Sequence, residues 1–196
     1  MEKTFRKIVL VAIAVSICVV GTGCSKSSGG SSGGEKSRAA DPAELSKAEV
    51  EKGIEIVSAG DFEKSLEHFD KAISYDGTNA KAWCARGTAL RSLGRMDDAV
   101  KDYTKAIELK PDYVICIDNL GLAYMYNGDF ENAVGSFNKA LEVDPNYANA
   151  YFNLGTLYYE GLKEKEKAFM YFEKYIQLSK DQERIQEVKK ILESAK

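Results

Sequence analysis

The chain has 196 residues and a formal net charge of −3, of which residues 1–23 contribute +2, so the remainder carries −5. With no basic stripe to neutralise phosphates, a nucleic-acid partner is excluded, and the acidic remainder argues against a domain that itself adheres to an anionic membrane. Roughly 150 residues are left for folding once a leader and a linker are set aside, enough for one domain with a continuous core.

The leader comes first. Lys3, Arg6 and Lys7 form a positive start, and Ile8 to Val20 is a nearly unbroken apolar run of 13 residues. That is short for a membrane span of roughly 20 residues but suits the apolar part of a secretory signal. Gly21-Thr22-Gly23-Cys24 follows. The segment resembles a bacterial lipoprotein signal, matching it at Gly23 and Cys24 and departing from it at Gly21, where an aliphatic residue is usual. The resemblance implies that residues 1–23 are a signal peptide cleaved before Cys24, and that Cys24 is acylated, with several acyl chains giving a stable hold on a membrane. Ser25, which is not aspartate, leans the sorting toward the outer membrane. Two alternatives stay open: cleavage by an ordinary signal peptidase, which accepts Gly-Thr-Gly, and an uncleaved anchor.

Residues 24–41 read as a flexible tether, Ser/Gly-rich and without an apolar residue between Ser25 and Ala39. Sixteen such residues reach roughly 20–25 Å on average. Asp41-Pro42-Ala43-Glu44 then begins a helix, with Asp as cap, Pro at the first position and Glu three residues after the cap.

From here the chain repeats. Gly53, Gly87, Gly121 and Gly155 stand 34 residues apart, as do Phe69, Tyr103 and Phe137, and Ala72, Ala106 and Ala140. Ser65, Ala99 and Ala133 form a small-residue column, and Pro111 and Pro145 another, with Gly77 in the first unit. A fixed period of this size means stacked units that each leave an apolar face open. The columns start at residue 46, and the divisions are 42–79, a degenerate first unit with Glu49 and Lys52 at usually apolar places, then 80–113, 114–147 and 148–181. Apolar steps of three and four, as in Trp83, Gly87 and Leu90, are helical. Gly94-Arg95 and Gly128-Asp129 suit tight turns with a left-handed residue, and Pro111 and Pro145 start the next helix. Each unit is therefore expected to be a helical hairpin, with small columns at close helix crossings and bulky aromatics between hairpins. The fourth unit has one extra residue, placed in the Gly161–Lys167 turn, and Tyr175 where alanine is expected. Ile185, Val188, Ile191 and Leu192 make one stripe in residues 182–196, a capping helix.

Trp83…Gly87…Leu90…Ala99…Tyr103…Ala106…Pro111 and its counterparts Leu120-Gly121…Tyr124…Ala133…Phe137…Ala140…Pro145 and Tyr151…Leu154-Gly155…Tyr158…Ala168…Phe172 resemble the tetratricopeptide repeat family. The resemblance covers residues from about 46 to 181. It implies an all-α fold, a right-handed α-solenoid of four helical hairpins plus the capping helix. It also implies a concave groove lined by the first helix of each unit. Carried over, that groove holds Lys81, Cys84, Thr88 and Arg91 in the second unit, and Ile115, Asp118, Asn119, Leu122, Met125 and Tyr126 in the third. The fourth adds Asn149, Phe152, Asn153, Thr156 and Tyr159. Leu122, Met125, Tyr126, Phe152 and Tyr159 are expected to form an exposed apolar patch edged by amides, with Asn119 and Asn153 free to bond a bound backbone. The same residue types also suit core positions. The clamp that grips a C-terminal carboxylate in some relatives is not expected, because Val50 and Ile54, or Cys84 and Thr88, stand where its first Lys and Asn belong.

Catalytic chemistry finds little support. His68 is the only histidine and is expected on an exposed helix face, and no metal-binding or phosphate-cradling motif occurs. No cofactor and no metal are expected. Cys84 and Cys116 lie at nearly corresponding places in adjacent units and read as two buried small residues or as a disulfide. The resulting expectation is a non-enzymatic adaptor of the bacterial cell envelope, lipid-anchored and facing the periplasm, that binds a segment of another envelope protein. The alternatives are an accessory or glycan-binding subunit of an envelope enzyme, and self-association through the open ends of the stack.

Overall fold

The computed structural model describes residues 41–194. The signal segment, Cys24 and the tether up to residue 40 lie outside the described residues. Among the described residues every regular element is helical: α1 (Pro42–Ser58), α2 (Phe62–Tyr75), α3 (Ala80–Ser92), α4 (Met96–Leu109), α5 (Val114–Tyr126), α6 (Phe130–Val143), α7 (Ala148–Thr156), α8 (Lys165–Leu178) and α9 (Gln182–Ser194). No described helix is long and apolar enough to cross a membrane.

The helix starts follow local chemistry. Asp41 Oδ1 accepts from the Ala43 amide at 3.0 Å, Asp61 from Lys64 at 3.1 Å, Asn79 from Lys81 at 3.1 Å and Asp129 from Asn132 at 3.2 Å. Each satisfies a donor that the first turn cannot. Hairpins one to three turn on Gly60, Gly94 and Gly128, at φ of 86°, 78° and 77°, where side chains are disfavoured. The fourth hairpin differs from expectation. Its extra residue is absorbed upstream of the turn, as a π-helical turn over Leu157–Gly161 closed by the Leu162 amide donating to the Leu157 carbonyl at 3.0 Å. Lys163, at φ 61°, then takes the left-handed place that glycine holds elsewhere.

Within each hairpin a glycine on the first helix faces a ring on the second. A Cβ on Gly87 would lie 2.9 Å from Tyr103, and one on Gly121 or Gly155 would lie 2.5 Å from Phe137 or Phe172. The expectation that these aromatics sit between hairpins is thus corrected: each ring fills the gap its own hairpin's glycine leaves. Tyr103, Phe69 and Phe137 have no exposed surface.

Successive first helices α1, α3, α5 and α7 contact one another, whereas successive second helices do not pack as closely. The stack therefore curves with its first helices inside. A large central core runs from Cys84 and Leu90 to Leu154 and Leu157. A small cluster of Val50, Ala72 and Ala82 lies at the N-terminal end. At the other end α9 seats Ile185 and Val188 on Phe152, Phe172 and Tyr175.

Candidate partner-binding face

The inner face is where the first helices bring the expected residues together, but it is drier and more polar than an open aromatic patch. Leu122 and Met125 are each 8 % exposed and belong to the central core. Phe152 is buried under the terminal helix, 5.2 Å from the Tyr175 ring, with the Arg184 guanidinium 5.0 Å from its own. These three are corrected from exposed patch to core, because close approach of α3, α5 and α7 and the added α9 cover them. Ile115, Tyr126, Asn149, Thr156 and Tyr159 remain partly accessible.

Beneath them runs a buried polar seam across three hairpins. Asn153 on α7 donates through Nδ2 to Asp118 Oδ1 on α5 at 2.9 Å. Arg91, from α3, lies 5.9 Å over the Tyr126 ring and adds its charge to the field at Asp118. Burial pushes the Asp118 carboxyl up to about 7, while the Asn153 hydrogen bond and the Arg91 charge pull it down. Burial wins because almost all of the side chain has left water. Asn153 is therefore occupied rather than free for a ligand. Asn119 Oδ1 and Arg91 Nε, by contrast, are buried without a hydrogen-bond partner. An unmet buried group costs about 1–3 kcal/mol.

The remaining candidates fall as follows. Lys81 is exposed and Cys84 is buried. Thr88 Oγ1 donates to the Cys84 carbonyl at 3.0 Å and is 3.2 Å from the Tyr103 hydroxyl. Cys84 and Cys116 are both free thiols in the core, and burial together with the neighbouring Cys84 thiol pushes Cys116 up. His68 is not on an open face: its Nδ1 lies 2.7 Å from Glu49 Oε2, joining α2 to α1. Among the described residues no three His, Cys, Asp or Glu side chains are grouped to hold a metal ion. Arg86 went unnoticed in the sequence. It bridges Asp102 at 2.7 and 2.8 Å and Asp70 at 2.6 Å, and stacks 4.8 Å from Trp83. Its signal was there, since Asp70, Arg86 and Asp102 lie 16 residues apart in turn, the spacing of neighbouring helices in this stack.

Two tetratricopeptide repeat models match residues 80–113 and 148–182, and a TPR repeat model matches residues 121–160. The second, third and fourth hairpins are tetratricopeptide repeats. Several solved structures overlay the solenoid. MamA is 25% identical with a TM-score of 0.64, over 74% of this chain and 84% of that one. The pilF protein of Pseudomonas aeruginosa is 22% identical with a TM-score of 0.68, over 74% of this chain and 65% of that one, a likeness of fold alone. The second TPR of Spaghetti (RPAP3), solved bound to the HSP90 peptide SRMEEVD, is 25% identical with a TM-score of 0.51, over 52% of this chain and 94% of that one. No curated protein matches the sequence. The tetratricopeptide fold supports a protein-binding scaffold.

Proposed function

We propose that this protein is a non-enzymatic adaptor of the bacterial cell envelope, tethered through acylated Cys24 on the periplasmic side of the outer membrane. It holds a segment of another envelope protein along the inner face of its repeats. The tether rests on the leader, Cys24 and the Ser/Gly-rich stretch. The binding role is carried by one observation: the inner face places accessible Ile115, Tyr126, Asn149, Thr156 and Tyr159 over a floor where Asn119 Oδ1 and Arg91 Nε lack partners. A bound backbone offers both a donor and an acceptor, the two kinds of partner that these atoms lack. The Spaghetti repeat with its bound peptide supports a peptide as the kind of ligand such a scaffold takes.

The test is cross-linking of the tagged protein in its own membranes, followed by purification of what is attached, with wild type beside the Ile115→Ala/Tyr126→Ala variant. One dominant envelope protein, recovered with wild type and reduced at least tenfold with the variant, is the expected result. Equal recovery moves the site off the inner face. Metabolic labelling with an alkyne fatty acid checks the anchor separately: label on wild type and none on Cys24→Ser is expected, and an unlabelled wild type ends the tether.

A further inference from the structure

The contact that closes the C-terminal end of the stack is built differently from the contacts between repeats. The column that holds Tyr175 in the fourth hairpin holds Ala72, Ala106 and Ala140 in the others, each fully buried. Over the first two of these alanines α3 and α5 settle closely on α2 and α4. Tyr175 is buried as well, but it is large, and α9 approaches α8 less closely than α3 approaches α2 or α5 approaches α4. The separation of two packed helices follows the side chains between them, so a ring in a small-residue column props the last helix away. It also leaves a polar defect. The Tyr175 hydroxyl lies near Ser179, Asp181 and Arg184, yet it is buried without a hydrogen-bond partner. An unmet buried hydroxyl weakens the contact that buries it.

The first turn of α9 is closed by its own residues. Asp181 Oδ1 accepts from the Arg184 amide at 3.1 Å, and the Ile185 amide donates to the Asp181 carbonyl at 2.9 Å. Its contact with the hairpin is one stripe: Ile185 and Val188 on Phe152, Phe172 and Tyr175, with Ile191 and Leu192 half-buried beside them. The Arg184 guanidinium adds a cation over the Phe152 ring at 5.0 Å. Phe152 is the link to the inner face. It holds on α7 the place that Asp118, 34 residues earlier, holds on α5, and α9 covers it.

We propose that the face formed by Phe152, Phe172 and Tyr175 is a docking surface for an amphipathic helix of a partner protein, and that α9 is a strap that holds the surface until that helix replaces it. The occupant's chemistry is read from α9 itself. It carries apolar residues at i, i+3, i+6 and i+7 and a guanidinium one residue ahead of the first. It carries no net charge, with Arg184, Lys189 and Lys190 against Glu183, Glu187 and Glu193. That the occupant belongs to a protein rests on the inner-face reading above, whereas the surface and its strap do not. A site that is open only part of the time binds more weakly in proportion to the open fraction, so loosening α9 strengthens binding of a helix from outside.

The test is fluorescence anisotropy of a labelled peptide of residues 180–194, titrated with the full-length protein in nanodiscs and with its Ile185→Ala/Val188→Ala variant, whose own α9 is loosened. Binding at least tenfold tighter to the variant than to wild type is expected. A peptide carrying Ile185→Asp and Val188→Asp is expected to bind the variant at least tenfold more weakly than the unaltered peptide. Val188→Ala alone, with a several-fold gain, serves where the double variant loses helix beyond α9 by circular dichroism. Adding Ile115→Ala/Tyr126→Ala to the loosened protein leaves peptide binding unchanged, so this surface and the inner-face site stand or fall separately. No binding to either loosened protein up to millimolar, equal binding of the Asp-bearing peptide, or wild type binding as tightly as the loosened proteins overturns the proposal. Loss of the peptide with Ile115→Ala/Tyr126→Ala overturns it by moving the helix to the inner face. Sedimentation of the full chain as a dimer that Ile185→Ala/Val188→Ala dissolves overturns it too, by giving the surface to the α9 of a second copy.

Discussion

At its N-terminal end the solenoid gathers only Val50, Ala72 and Ala82 into a core cluster, with Phe69 buried against Gly53 beside it, and adds polar contacts. Glu49 meets His68 at 2.7 Å, and Asn79 Nδ2 donates to Ser46 Oγ at 2.8 Å. At its C-terminal end an added helix lays Ile185 and Val188 over Phe152, Phe172 and Tyr175. A stack of repeats leaves two unpaired faces, and each must be made polar or be covered. Here the first face is made polar and the second is covered. The difference predicts unequal dependence on the two ends: the polar end contributes by small increments, the covered end by burial of large side chains at about 1.5–3 kcal/mol each.

Removing residues 182–196 breaks the covered end and carries the largest expected effect. Phe152, Phe172 and Tyr175 are uncovered while Ile185 and Val188 are lost, so we expect a loss on the order of 5 kcal/mol in urea unfolding. Amide exchange over residues 148–178 accelerates first, because the remaining hairpins keep their own cores. A truncated chain with an unchanged urea midpoint overturns the importance of this end.

The seam that joins the covered end to the rest is pH-dependent. Asp118 is raised to about 7, against an unfolded value near 4, so between those pH values the folded protein keeps a proton that the unfolded chain releases. Stability therefore falls as pH rises through that window and levels off above it. Asp118→Asn keeps an acceptor for Asn153 and removes the titration. The variant matches wild type near pH 4 and exceeds it at pH 8 by on the order of 2 kcal/mol. Urea curves that shift equally at both pH values refute this account.

The polar end is probed by Asn79→Ala, which removes the α3 cap and the bond to Ser46 together. A loss of about 1–2 kcal/mol is expected, well below that of the C-terminal truncation. A loss as large as the truncation's means that the two ends are not closed by different means.

The repeat columns made the hairpins, the turn glycines and the terminal helix legible before any coordinates, because a glycine facing a ring or a left-handed turn leaves a mark at a fixed interval. The inner face was less legible. Phe152 and Met125 sit on first helices at positions that suit exposure or burial equally, and only the packing of α9 and of neighbouring first helices decides between them. The pairing of Asp118 with Asn153, 35 residues apart, was hidden for the same reason: two ordinary polar residues become a seam only when adjacent repeats bring them within 2.9 Å.

The extra residue in the fourth hairpin supplies the smallest test. In the first three hairpins a glycine takes the left-handed turn without strain, but here the chain asks it of Lys163, at φ 61°. A left-handed conformation costs a side-chain-bearing residue roughly 1–2 kcal/mol, while glycine gives part of that back through the freer unfolded chain. Lys163→Gly is thus expected to stabilise the protein by about 0.5–1 kcal/mol, and Gly128→Lys to destabilise it by about 1 kcal/mol. The pair of measurements separates the turn from its surroundings. If Lys163→Gly brings no gain while Gly128→Lys brings the expected loss, the π-helical turn over Leu157–Gly161 has already relieved the strain, and the fourth hairpin is held by the aromatic packing under α9 rather than by its turn.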